Sequence, residues 1–106
     1  MSNTATDVKT MIQVNTKLKE PSKYMVRYIN DEVTSMDFVV DSLMIVFKHT
    51  RDYAIELTMA VHEKGSAVVA LLPFELAEQK AIEVTLMARE AGYPLQVKIE
   101  VSTPVV

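Results

Sequence analysis

The sequence predicts an α/β (α+β) two-layer sandwich, in which a three-stranded antiparallel sheet packs against three helices in the order β-α-α-β-α-β. Three short segments are rich in β-formers and carry apolar residues at alternate or consecutive positions. In three longer segments the apolar residues recur at the spacing of a helix. The length of 106 residues and the apolar fraction of 49% suffice for one compact core. We therefore expect one folded domain over residues 23–102, with a flexible arm before it (1–22) and a frayed tail after it (103–106).

The first half of the chain predicts one strand and two helices. β-Forming residues fill positions 24–29, and the turn-forming pair Asn30-Asp31 follows them. Thr34, three residues before Asp37, resembles a capping box and predicts the start of the first helix. The apolar stripe predicted for this helix is Met36, Val39, Val40, Leu43 and Phe47. Thr50 or Asp52 offers the next helix start, and Gly65 a C-cap; the predicted inward face is Ala54, Leu57, Thr58 and Val61.

The second half predicts strand, helix and strand. The continuous apolar run from Ser66 to Leu72 is typical of a central strand. Pro73 and Glu75 open the third helix, and Gly92 and Pro94 end it. Its predicted inward residues are Ala77, Ala81, Val84 and Ala88. The last strand alternates, with Leu95, Val97, Ile99 and Val101 on one face and Gln96, Lys98 and Glu100 on the other.

Composition excludes several classes of function. A net charge of −3 with scattered basic residues argues against nucleic acid or an anionic membrane as partner. Two glycines cannot form a phosphate-binding loop, and the absence of cysteine excludes thiolate chemistry and disulfides. No apolar run follows a basic start, and none is long enough to cross a bilayer. We expect a cytoplasmic protein without a cofactor.

The two histidines do not support catalysis. His62-Glu63 resembles the start of a zinc-protease motif, but Ser66 occupies the position of the second histidine. No nucleophile elbow accompanies a serine. The sequence therefore predicts neither a metal site nor a catalytic residue, and we expect no enzyme activity.

Three polar residues suggest a binding site instead. His62 lies one turn after Thr58 on the second helix, and that helix end can meet the Asn30-Asp31 turn. Amide, carboxylate and neutral imidazole can each accept a hydrogen bond from an ammonium group. Ordinary structural roles remain open: Asn30-Asp31 as a simple turn, His62 as a helix-end residue, and Met36 as core.

Four separated segments resemble the ClpS family, the adaptors of the Clp protease. They are residues 24–39 (YMVRYINDEVTSMDFV), 60–65 (AVHEKG), 75–80 (ELAEQK) and 88–95 (AREAGYPL). The resemblance covers about residues 21–101, in order and without an evident gap. It implies a ClpS-like adaptor domain with a fold similar to the C-terminal domain of the ribosomal stalk protein.

The resemblance also implies a function and its residues. ClpS proteins bind N-degrons, which are proteins beginning with Leu, Phe, Tyr or Trp, and deliver them to a ClpA- or ClpC-type AAA+ unfoldase. By motif match, Asn30, Asp31 and His62 would bind the substrate α-amino group. The side-chain pocket would be lined by Met36, Val39, Thr58, Val61 and Leu95, with Met36 excluding β-branched residues. Glu75 and Lys80 would dock on the N-terminal domain of the unfoldase, and the arm would be engaged during hand-off.

Three positions depart from the common family pattern: Glu32 for Asp, Ser35 for Pro and Thr58 for Met. Thr58 either widens the pocket toward aromatic ligands or bonds back to the Ala54 carbonyl without affecting specificity. The main alternative to an adaptor is a scaffold module of ribosomal-stalk-like fold that has no degron pocket.

Overall fold

The computed structural model describes residues 22–102 and confirms the predicted order of elements. The arm and the tail expected from the sequence lie outside these residues, except for Ser22. The strands are β1 (Lys23–Ile29), β2 (Ser66–Pro73) and β3 (Gln96–Val101). The helices are α1 (Met36–Phe47), α2 (Arg51–Lys64) and α3 (Phe74–Glu90).

β1 is the central strand, with β2 and β3 antiparallel on either side of it. The prediction that the run from Ser66 to Leu72 is central was therefore wrong. Its continuous apolarity has a different cause, which is a register shift opposite Val26 and Arg27. Ala67 contributes to the core on one side of the shift, Ala70 and Leu72 contribute on the other, and Val69 is the unpaired residue at the shift, so both sequence parities carry apolar residues.

The core fills the space between the helices and one face of the sheet. From β1 it takes the alternate residues Tyr24, Val26 and Tyr28, which point to one face. All four predicted inward residues of α2 and all four of α3 are buried. On α1 the stripe is rotated from the prediction, because Ser42 and Val46 are buried whereas Met36 is 40% exposed.

The helix ends explain how the site loops are held. Ser35, and not the predicted Thr34, caps α1 by accepting a hydrogen bond from the Phe38 N–H at 3.1 Å. Thr34 is unavailable as a cap because its hydroxyl bonds to Asp31. Thr50 caps α2 as predicted, and Gly65 ends α2 with φ of 89°. α3 begins after Pro73, as predicted.

Candidate functional site

The loop after β1 is organised by the carboxylate of Asp31. Asp31 Oδ1 accepts hydrogen bonds from the backbone N–H groups of Val33 (2.8 Å) and Thr34 (2.6 Å), and Oδ2 accepts one from the Thr34 hydroxyl (2.8 Å). A carboxylate offers about four lone-pair positions, so these three bonds fix the group and leave Oδ2 able to accept another.

These contacts keep Asp31 ionised. Partial burial raises the pKa of the carboxyl, but the hydrogen bonds from Thr34 and Val33 and the positive charge of Arg89 outweigh that effect. The net result is a pKa below the ordinary value of 3.8. At neutral pH the loop therefore presents a fixed negative charge.

Asn30 joins this loop to the end of α2. Its backbone N–H donates to the carbonyl oxygen of Gly65 at 2.9 Å. His62 lies in the last turn of α2, three residues before Gly65, and the residues His62 and Asn30 are both exposed. The structure thus brings the three predicted polar residues to one end of the molecule, where the end of β1 meets the end of α2.

A cavity of about 440 Å³ lies between α1 and α2. Met36 and Thr58, two of the five predicted pocket residues, line it. Val40, Ile55 and Met59 also line it and were not among the predicted pocket residues. Their signal was present in the sequence: Met36–Val40 and Ile55–Met59 are i,i+4 pairs, each on one helix face. The polar rim of the cavity consists of Asp37, Asp41 and Arg51.

The other three predicted pocket residues belong to the hydrophobic core. Val39, Val61 and Leu95 are 6%, 3% and 1% exposed. Val39 and Val61 each follow a cavity residue by one helical turn, since they lie three positions after Met36 and Thr58. These three are not among the residues that line the cavity between α1 and α2.

The Thr58 hydroxyl donates to the Ala54 carbonyl at 2.8 Å. This is the back-bonded arrangement that the sequence left open as one of two interpretations. Thr58 nevertheless lines the cavity. The hydroxyl proton is used within its own helix, so Thr58 has no donor left for a ligand and its oxygen can only accept.

The two predicted docking residues lie near the start of α3. Glu75 is exposed in the first turn, between the partly exposed apolar residues Phe74 and Leu76. Lys80 Nζ lies 4.0 Å from Glu83 Oε1. Lys80 is five positions after Glu75, which places the two residues about 140° apart around the helix axis. A partner that contacts both residues must therefore span the helix.

The other histidine, His49, has a structural role. His49 Nε2 lies 2.8 Å from the Val69 carbonyl oxygen, and its ring stacks on Phe47 with centroids 5.9 Å apart. Among residues 22–102 no group of three or more His, Cys, Asp or Glu side chains is placed to hold a metal ion. In the same range, no helix combines the length and the apolar character that spanning a membrane requires.

Comparison with known proteins identifies the family. Residues 19–98 match the family model of ClpS, the ATP-dependent Clp protease adaptor protein. The chain belongs to the ClpS family. Among curated ClpS proteins, that of Nautilia profundicola is 37% identical over 87% of this chain and 95% of its own length. That of Oleidesulfovibrio alaskensis is 42% identical over 79% of this chain and 81% of its own.

The solved structure of Agrobacterium tumefaciens ClpS2 bound to L-phenylalaninamide is similar to this fold, with a TM-score of 0.75 and 38% identity. The match covers 77% of this chain and 99% of that one. These findings confirm the resemblance and the fold class. As a member of this family the chain is an adaptor of the Clp protease and not an enzyme. The family match favours an adaptor over a ribosomal-stalk-like scaffold.

Proposed function

We propose that this ClpS protein binds proteins that begin with a bulky hydrophobic residue (Leu, Phe, Tyr or Trp) and delivers them to a Clp AAA+ unfoldase. The observation that carries the proposal is the similarity to a ClpS2 structure bound to L-phenylalaninamide. That ligand has two recognisable parts, a free α-amino group and an aromatic side chain. The end of the molecule that carries Asn30, Asp31 and His62 offers acceptors for the first, and the cavity between α1 and α2, which has both apolar and charged lining residues, is available for the second.

The amine is bound by a set of acceptors, of which the Asp31 carboxylate is held in place before the ligand arrives. Asp31 Oδ2 keeps a free lone pair after its bond to Thr34 and supplies a negative charge. The Asn30 side-chain carbonyl and a His62 ring nitrogen complete the set of acceptors. Because the carboxylate is already ordered, little conformational entropy is lost when the ammonium binds.

The side chain is bound by apolar surface. Met36 and Thr58 contact it in the cavity, whereas Val39, Val61 and Leu95 belong to the buried core. Burial of a Leu or Phe side chain contributes about 1.5–3 kcal/mol, and each hydrogen bond to a charged group about 1.5–3 kcal/mol. Their sum, less the cost of association, corresponds to micromolar affinity, or about −8 kcal/mol. Neither part suffices alone.

Fluorescence anisotropy tests this with peptides that begin with Phe, Leu or Ser, each with a free and with an acetylated N-terminus. We expect micromolar binding of the free Phe and Leu peptides. We expect at least a 10-fold weakening on acetylation and on replacement of the first residue by Ser. Equal binding of free and acetylated peptides would show that the amine is not recognised, and the proposal would be wrong.

Delivery requires a second contact, for which we propose Glu75 and Lys80 on the N-terminal domain of a ClpA- or ClpC-type unfoldase. The apolar residues Phe74 and Leu76 beside Glu75 give this surface a centre that can be desolvated. Glu75→Lys and Lys80→Glu should weaken binding to the purified unfoldase domain, whereas Glu63→Lys on α2 should not. Measuring the domains of both types separately identifies the partner. The absence of cysteine fits a reducing cytoplasm, where we expect the protein to act.

A further inference from the structure

A hydrogen-bonded turn joins α3 to β3, next to the proposed site but outside it. This α3–β3 turn comprises residues 91–95. The backbone N–H of Gly92 donates to the Arg89 carbonyl at 3.1 Å, and that of Tyr93 donates to the Ala88 carbonyl at 2.8 Å. Gly92 has φ of 84°. Two such bonds around a left-handed residue form a Schellman motif, which fixes the direction in which the chain leaves the helix.

The side chain of Arg89 holds the rest of the turn. Its Nη1 donates to the carbonyl oxygens of Tyr93 at 2.9 Å and Leu95 at 3.0 Å. Pro94, between them, has no N–H and cannot donate a backbone hydrogen bond of its own. Leu95 is 1% exposed, and a carbonyl group that loses its partner in such surroundings is costly. The guanidinium therefore fixes the stretch of backbone between α3 and β3.

The turn contacts the beginning of α1 through two aromatic rings. The ring centroids of Tyr93 and Phe38 lie 5.1 Å apart, with 57° between the ring planes, which is a favourable arrangement for an aromatic pair. Phe38 is in the first turn of α1, and its N–H donates to the capping hydroxyl of Ser35. Met36, a proposed pocket residue, is the first residue of the same helix. The position of Met36 therefore depends on what holds Tyr93.

Arg89 also lies close to the loop that carries the acceptors. Arg89 and Val33 line one cleft, and the positive charge of Arg89 acts on the Asp31 carboxylate. The ion pairs found among residues 22–102 do not include Arg89 and Asp31, so the two charges act on each other across a distance. Asp31 Oδ2 is thus not occupied by the guanidinium.

We infer that Arg89 is a positioning residue for recognition of the N-terminus: it holds the α3–β3 turn and, through Tyr93 and Phe38, sets the position of Met36 at the start of α1. Since the ligand concerned is a hydrophobic first residue, this role rests on the proposed function. The sign of the charge separates it from an electrostatic role. A positive charge repels a substrate ammonium group, so loss of the charge alone would strengthen binding.

Peptide binding by Arg89→Met tests the inference, because methionine keeps an apolar side chain but removes the donors and the charge. Fluorescence anisotropy should show about 2- to 30-fold weaker binding of Phe- and Leu-initiated peptides. The preference for Leu over Ile should also fall, because Met36 is then less well placed to exclude a branched side chain. Arg89→Lys keeps the charge and can donate to one carbonyl, so it should restore part of both properties.

Arg27→Met is the matched control. Arg27 also donates two side-chain hydrogen bonds, at 3.0 Å to Glu100 and at 3.2 Å to Ser66, and its replacement changes the net charge equally. We expect lower stability in urea titration, with unchanged peptide affinity and an unchanged Leu-to-Ile ratio. Gly92→Ala keeps its backbone N–H and both bonds from Arg89, so the turn keeps its path and the ratio should not change there either.

Tyr93→Leu tests the route from the turn to α1. It keeps the net charge and the carbonyl that Arg89 binds, but it removes the ring that contacts Phe38. We expect the same fall in the Leu-to-Ile ratio as in Arg89→Met. Hydrogen exchange of the Phe38 N–H, measured without peptide, should be several-fold faster in both variants than in Arg27→Met.

The outcomes distinguish this inference from the proposed function. If Arg89→Met matches the unchanged chain in affinity, in the Leu-to-Ile ratio and in hydrogen exchange, the inference is wrong and the proposed function stands. Tighter binding by Arg89→Met would also overturn the inference, because the charge would then be the dominant effect. If the unchanged chain binds none of the peptides, the proposed function fails and the inference fails with it.

Discussion

Asp31→Asn separates the two roles of Asp31, which are to order the loop and to bind an ammonium group. An asparagine carbonyl can still accept from the N–H groups of Val33 and Thr34, and its amide can donate to the Thr34 hydroxyl, which then reverses its role. The loop is therefore kept. The amide nitrogen that replaces Oδ2 is a hydrogen-bond donor, so it cannot accept a bond from the ammonium group of the substrate. The negative charge is also lost.

The expected loss follows from the hydrogen bond that disappears. A bond to a charged group contributes about 1.5–3 kcal/mol, which corresponds to a 10- to 160-fold weaker affinity for a Phe-initiated peptide. Fluorescence anisotropy of the purified variant measures it, and thermal unfolding shows whether the loop is intact.

Asp37→Asn is the matched control, because Asp37 lines the cavity between α1 and α2 and its replacement changes the net charge equally. We expect less than a 3-fold effect there, since a solvent-exposed charge acts through screened electrostatics. If both variants bind equally well, or if Asp31→Asn binds as tightly as the unchanged chain, the amine is not held by Asp31.

Three further changes follow from the same contacts. Thr58→Met should reduce affinity for Phe relative to Leu by roughly 10-fold in peptide-binding assays, because the longer side chain fills the cavity; Thr58→Val, which keeps the shape, should leave the ratio unchanged. Tyr28→Phe removes a buried bond of 2.8 Å to Ser42 and should lower the free energy of unfolding by about 0.5–1.5 kcal/mol in urea titration, without changing peptide affinity. The lowered pKa of Asp31 stabilises the folded state above pH 3.8, so the stability advantage over Asp31→Asn should shrink as the pH falls below that value. An advantage that is constant down to pH 2 would contradict that pKa.

Local sequence patterns predicted most of the fold because local chemistry determines it. Thr50 and Gly65 cap α2 in the predicted way, and the alanine-rich face of α3 is buried as its spacing indicates. The central strand was misassigned because a register shift opposite Val26 depends on pairing between distant segments, which periodicity does not contain. The cap of α1 was misassigned by one residue because Asp31 competes for Thr34.

The candidate site was less predictable from the residues than the fold. Single patterns left Asn30, Asp31 and His62 open to ordinary structural roles, and it was the resemblance to a family that joined them into one site. The structure adds information that neither the residue patterns nor the family resemblance provides. Asp31 is fixed by three hydrogen bonds before any ligand binds, and Val40, Ile55 and Met59 line the cavity beside Met36.

Buried Ser42 shows a further limit of sequence analysis. Its hydroxyl donates to the Val39 carbonyl at 2.8 Å, so the Tyr28 phenol must be the donor in the bond between them. Burial raises the pKa of this phenol well above its ordinary value, although the bond to Ser42 lowers it in part. A serine within a helix is expected at the surface. The burial of Ser42 is explained only by its hydrogen bond to Tyr28 of β1.

The contact between Asn30 and Gly65 makes a prediction about coupling between the two elements that carry the acceptors. Gly65 has φ of 89°, and a Cβ there would meet no atom within 4 Å, so Gly65→Ala costs only backbone strain, about 1 kcal/mol. Gly92 has φ of 84° and equally open surroundings, which makes Gly92→Ala a control of equal strain. Relief of the strain at position 65 moves the carbonyl that holds Asn30, whereas relief at position 92 does not. Both variants should therefore lose similar stability in urea titration, while only Gly65→Ala should bind a Phe-initiated peptide several-fold more weakly. Equal affinities for the two variants would show that the acceptors on β1 and α2 act independently of this bond.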